Sequence, residues 1–164
     1  MSTPTGAGPR PPGGGIVVGV DGSPGSLAAL RWAIREASAR GATVHAVTAW
    51  EVPTESTVGD MATVGDFHPL IAAERILVAA LADAGAADSH VTVTTAPVQR
   101  HPAEVLMQHA ERAELLVVGS RGHGRMFGVL LGSVRQYLAA HAACQVVVIK
   151  PVADRHGRRS RAGR

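Results

Sequence analysis

The sequence predicts an open five-stranded parallel β-sheet with helices on both faces, and three observations carry that expectation. Five short runs of β-branched and aliphatic residues recur along the chain, apolar almost throughout rather than alternating, as in strands buried on both sides. Between them lie amphipathic patterns at helical spacing, giving the order β-α-β-α-β-α-β-α-β that right-handed crossovers wind into a parallel sheet. Finally, 46% of residues are hydrophobic but only 3% aromatic, so the core must be assembled from Val, Leu, Ile and Ala. A chain of 164 residues fits one domain of this kind.

The expected strands are Ile16 to Val20, Thr43 to Ala49, Val91 to Thr95, Leu115 to Val118 and Val146 to Ile149. The first helix has Ser23 as N-cap and Pro24 at its first position, then Leu27, Leu30, Ile34 and Ala37 on one face, and Gly41 past its end. Phe67, Leu70, Ile71, Leu77, Val78 and Leu81 form a second amphipathic pattern that stops before Gly85. Pro102 opens a third helix carrying Val105, Leu106 and His109. Ser133 and Gln136 have capping-box spacing and place a fourth helix start at Ser133. Pro53 to Gly65 is the one long connection, and no internal repeat or second domain is visible. The expected organisation is a disordered segment over 1–15, a folded domain over 16–151 and a basic disordered tail over 152–164.

Charge and cysteine content exclude several function classes. The net charge of +3 arises in the segment Asp154 to Arg164, where five arginines and one aspartate give +4 and leave −1 for everything before it. A nearly neutral body with a basic tail lacks the footprint of a nucleic-acid-binding domain, and the tail reads as a solvated charge run. Cys144 is alone, so no intrachain disulfide forms, and beside the last strand it reads as a small core residue. Neither a signal peptide nor a membrane span is visible in 1–15 or later, which predicts a cytoplasmic protein.

In an open parallel sheet, ligands bind beyond the carboxyl ends of the strands, where strand order reverses. Two segments qualify. Gly19-Val20-Asp21-Gly22-Ser23-Pro24-Gly25 leaves the first strand, and Gly119-Ser120-Arg121-Gly122-His123-Gly124-Arg125 leaves the fourth, with Gly132-Ser133 following. In the second, glycines let backbone N–H groups converge on an anion, and a helix N-terminus beyond them favours the same charge. Arg121 and Arg125 either add charge to that site or are solvated, and His123 is either a ligand contact or a plain loop residue. Asp21 suits two roles equally: a carboxylate for Mg²⁺ beside phosphates, or the acceptor of an Asx turn before Ser23. A Walker P-loop is excluded because the only lysine is Lys150. A dinucleotide fingerprint belongs in the first strand-to-helix turn, whereas Gly122-x-Gly124-x-x-x-Gly128 follows the fourth strand. The eight histidines show no metal-ligand spacing.

Gly119-x-x-Gly122, nine further residues and then Gly132-Ser133 match the G-x2-G-x9-G-(S/T) pattern of the ATP-binding universal stress proteins, and the chain resembles that family over about Ile16 to Pro151. Val-Gly-Val-Asp-Gly-Ser near the start, Thr-Ala-Trp-Glu after the second strand, His-Pro-Ala-Glu-Val-Leu before the third helix and Val-Val-Val-Ile-Lys near the end resemble it too. The resemblance implies a Rossmann-like, adenine nucleotide α-hydrolase-like sheet with ATP across the strand ends. It implies that Gly19 and Asp21 lie at the ribose or metal region and that the Ala49 backbone meets adenine. Gly119, Ser120, Arg121, Gly122, His123, Gly124 and Arg125 would wrap ribose and phosphates, with Gly132, Ser133 and Val134 completing the cradle. It further implies a homodimer through Gln145 to Lys150. Two positions depart from the family pattern: Arg100 replaces a common glycine and Gln145 a common proline. The expected function is a nucleotide-dependent regulatory module. Neither a lysine near the phosphates nor a Glu or Gln in the glycine loop supplies a catalytic set. Slow Mg²⁺-dependent ATP hydrolysis and a nucleotide-free stress-associated dimer remain as alternatives.

Overall fold

In the computed structural model, which describes residues 14–51, 68–120 and 131–151 and only the backbone of 131–133, five strands form one parallel sheet. They are β1 (Ile16–Gly19), β2 (Val44–Trp50), β3 (Val93–Gln99), β4 (Leu115–Gly119) and β5 (Gln145–Ile149). Between them run α1 (Pro24–Arg40), α2 (Pro69–Asp83), a short 3₁₀ turn (Ala86–Asp88), α3 (Pro102–Ala110) and α4 (Leu131–His141). Residues 1–13 of the expected segment 1–15, the expected tail 152–164 and the whole connection Pro53 to Gly65 lie outside the described residues.

Strand order is β3-β2-β1-β4-β5. The chain winds outward from β1 through β2 to β3, crosses the sheet, and winds outward again from β4 to β5. The reversal therefore falls between β1 and β4, which pair through Ile16–Leu115, Val17–Leu116 and Val18–Val117. Alternate residues of the central strands feed two cores. Ile16, Val18, Val44 and Val117 pack with Leu30, Ala33 and Leu77 of α1 and α2. Val17, Val47, Leu116 and Val118 pack with Val105, Leu106 and Leu138 of α3 and α4. Both faces of β1 and β4 are thus dry, which is why their sequences read as unbroken apolar runs.

Local chemistry sets the helix starts. Ser23 is extended (φ −69°, ψ 155°) and its hydroxyl accepts the Ser26 N–H at 3.2 Å, while Pro24 takes a first-turn position where no donor is needed. The third helix carries a cap that its sequence did not signal: His101 Nδ1 accepts the Ala103 N–H at 3.3 Å.

Two expectations require correction. The third strand is not Val91 to Thr95 but Val93–Gln99, running through Pro97. Proline is tolerated there because β3 is an edge strand, with one side of its backbone unpaired by the sheet. Ser133 does not start the fourth helix: the chain is already helical at Leu131, so Ser133 lies within the helix. Substituting Ser23→Ala should lower stability by about 1 kcal/mol in urea denaturation, since one first-turn amide loses its acceptor while buried beneath the sheet end.

Candidate functional site

The turn leaving β1 is held by an interlocked set of polar contacts. Asp21 Oδ1 accepts the Ser23 N–H at 2.9 Å, closing an Asx turn across Gly22, whose φ of +78° lies in the left-handed region that favours glycine. The Ser26 hydroxyl donates to the Ser23 carbonyl at 3.0 Å and accepts the Asp21 N–H at 3.3 Å. Ser23 and Ser26 are both buried, so the polar cluster is satisfied inside the fold rather than by solvent. The neighbouring strand β2 braces the same turn: Val20 N–H donates to the Val47 carbonyl at 2.8 Å, and the Thr48 hydroxyl donates to the Val20 carbonyl at 2.8 Å.

The end of β4 abuts this turn with no room to spare. A Cβ added to Gly119 would collide with the Gly25 carbonyl carbon and stand 2.7 Å from Ser26 N and 2.8 Å from Gly25 O. Backbone meets backbone there, so the first turn of α1 sits directly against the residue from which the glycine-rich segment departs. Ser120, also buried, then donates its N–H to the Ile149 carbonyl at 2.6 Å and ties that departure to the end of β5. On the other side of β1, a Cβ on Gly19 would come within 3.2 Å of the Leu106 side chain of α3.

The fold brings together Gly19, Asp21, Gly119 and Ser120 at the β1–β4 reversal. Ala49 lies one strand away, half-buried near the end of β2 and paired with Val98. Its neighbour Trp50 has a buried indole Nε1 without an acceptor. Gly132 and Ser133 lie in α4, beside the N-terminal limit of its described residues. Val134 is buried against the α3–α4 side of the sheet, so its side chain serves the core. Arg121, Gly122, His123, Gly124 and Arg125 lie outside the described residues.

For Asp21 the Asx-turn role is realised, and a carboxylate has the lone pairs to accept further contacts. Among the described residues no group of three or more His, Cys, Asp and Glu side chains is arranged to hold a metal ion. Burial pushes the Cys144 thiol up from its ordinary value, which keeps it protonated and inert. Gly25 closes the candidate turn Gly19 to Gly25, whereas Ser26 and Thr48 lie outside the segments that the sequence singles out. A glycine in the first turn of an otherwise Ala- and Leu-rich helix was the available signal, because glycine weakens helices and persists where backbone must approach closely.

Residues 15–150 match the family model described as the universal stress protein family. The chain belongs to that family. It is 35% identical over 142 residues to a universal stress protein of Mycobacterium tuberculosis, an alignment covering 87% of this chain and 47% of the relative. The chain thus spans about half the length of the curated relatives it matches. Among solved structures it is similar to a universal stress protein in complex with cAMP, with 30% identity and a TM-score of 0.62, covering 85% of this chain and 98% of the other. It is also similar to the universal stress protein from Archaeoglobus fulgidus in complex with dAMP, with 25% identity and a TM-score of 0.59, covering 83% and 97%. Among the described residues no helix of this universal stress protein is long and apolar enough to cross a membrane.

If the Gly119 contact organises the site, Gly119→Ala should lower stability by about 1–3 kcal/mol in urea denaturation without any ligand, because a Cβ must displace the start of α1. An unchanged midpoint would mean that the two backbones separate at little cost.

Proposed function

We propose that this universal stress protein binds an adenine nucleotide across the carboxyl ends of β1 and β4, with ATP as its ligand, and acts as a nucleotide-dependent regulatory module in the cytoplasm. The observation that carries the reading is the backbone junction of Gly119 with Gly25 and Ser26 at the strand-order reversal. Open parallel sheets place ligands at that reversal, and here it is walled by glycine backbone rather than by side chains. The similarity to structures complexed with cAMP and dAMP supports an adenine nucleotide as the class of ligand.

In this reading the Ala49 backbone meets the base, and Gly19 and Asp21 face the ribose. Ser120, Arg121, Gly122, His123, Gly124 and Arg125 follow the phosphates. The N-terminal part of α4, with Gly132, Ser133 and Val134, presents the positive end of its helix dipole to the same charge. Asp21 is the carboxylate suited to Mg²⁺ beside those phosphates, its position already fixed by the Ser23 N–H. Bound nucleotide would stiffen the junction of α1, β4 and the fourth helix, and a partner would read that change.

Titration of dialysed protein with ATP and Mg²⁺ in a calorimeter tests the reading: saturation near one ATP per chain supports it, and no heat of binding overturns it. Gly122→Val should weaken binding at least tenfold, because a branched side chain occupies the space where backbone would meet phosphate. Affinity equal to that of the parent protein would remove the glycine segment from the site.

We also propose a homodimer through Gln145 to Lys150. β5 is an edge strand of aliphatic residues with Val148 42% exposed, a surface that otherwise invites indiscriminate pairing. Sedimentation should find a dimer, and Val148→Lys should shift it toward monomer; a monomeric parent protein would contradict the assignment.

A further inference from the structure

Two histidines are buried together on the α3 side of the sheet. His45 of β2 is 2% exposed and His109 of α3 is 4% exposed, and their rings stack with centroids 5.2 Å apart and planes 25° apart. His109 Nδ1 donates to the Val105 carbonyl at 2.8 Å. The Thr94 hydroxyl of β3 lies 2.6 Å from His45 Nδ1 and 3.5 Å from the Val44 carbonyl, and it pairs with the imidazole at the shorter distance. The neutral His109 ring is left with an acceptor at Nε2, and neither His109 Nε2 nor His45 Nε2 has a hydrogen-bond partner.

Two buried ring nitrogens without partners lie in an apolar cluster, where an added proton would bring a charge that nothing there solvates. Burial, together with the His109 ring, holds His45 down to about 4 from the ordinary 6.5. The surroundings offer no compensating charge. β1 presents Val17 beside His45, and β3 presents Thr94. On α3 the other titratable groups are His101 at the N-cap and Glu104, with Glu111 after the helix, both glutamates exposed. Arg135, Tyr137 and His141 of α4 make no hydrogen bond to either Nε2.

The same helix reaches the strand ends. Leu106, one turn before His109, lies against Gly19, and His101 caps the helix start.

We propose that the stacked His45–His109 pair is an acid-labile joint between β2 and α3, in which protonation of His45 undocks α3 from the sheet and withdraws Leu106 from the nucleotide-binding turn at Gly19. The coupling to ligand rests on the nucleotide reading above; the joint itself does not. The sign follows from the two proton affinities. An undocked His45 takes a proton near pH 6.5 and a docked one only near 4, so docking is weakened as pH falls through that window and is unaffected well above it.

Hydrogen exchange of the amides of Val105 to Ala110, corrected for intrinsic rates, should show protection falling on the order of 50-fold between pH 7 and pH 4.5 for one such imidazole. In His45→Gln, which removes that imidazole, the pH dependence should shrink severalfold. Should the variant fail to fold, the imidazole ¹⁵N shifts of the parent protein decide the matter: protonation of His45 must coincide with loss of α3 protection. His45 protonation while α3 stays protected, or an equal pH dependence in His45→Gln, would overturn the joint. Adding ATP and Mg²⁺ at pH 4.5 should restore α3 protection if ligand and joint are coupled. ATP that binds at pH 7 but leaves α3 protection at pH 4.5 unchanged would overturn the coupling, whereas failure to bind at pH 7 would count against the nucleotide reading alone.

Discussion

The contact between the end of β4 and the first turn of α1 constrains most of what this chain can do. Gly119 and Gly25 meet without side chains between them, so β1, the turn through Asp21, and β4 form a single rigid corner. Strand order reverses at the same corner, because the chain crosses from β3 on one side of β1 to β4 on the other. The two demands reinforce each other. A crevice at a reversal needs walls close enough to grip a ligand, and walls of glycine backbone offer N–H groups rather than bulk.

The polar residues around that corner are spent on structure before any ligand arrives. Asp21, Ser23 and Ser26 satisfy one another and the backbone, and Thr48 holds the Val20 carbonyl. Such pre-organisation means that binding need not order the turn, and less binding free energy is lost to conformational entropy. It also separates two kinds of serine and aspartate that look alike in sequence: those that build a site, and those that touch what occupies it.

Most of the architecture was legible in the sequence because the two-sided burial of β1 and β4 leaves unbroken apolar runs that few other arrangements require. The edges were less legible. β3 was truncated at Thr95 because Ala96-Pro97 resembles a strand end, and only its edge position explains why proline is accommodated. Ser133 resembles a cap because a capping box is a local pattern, whereas the chain is already helical two residues earlier. At the site, Asp21 and Gly119 could be singled out from motif spacing, but Gly25 and Ser26 acquire their meaning from a strand nearly a hundred residues away. The His45–His109 stack was invisible for the same reason: each histidine sits in an apolar pattern of its own, and only the packing of α3 on β2 brings them together.

The central claim, that the glycine-walled corner is where a nucleotide sits, is tested most directly by following backbone amide resonances of ¹⁵N-labelled protein as ATP and Mg²⁺ are added. Shifts concentrated at Gly19 to Ser26, at Gly119 and Ser120, and in the N-terminal part of α4 are the result expected. Shifts confined to the outer faces of α2 or α3, with the corner unmoved, would contradict it.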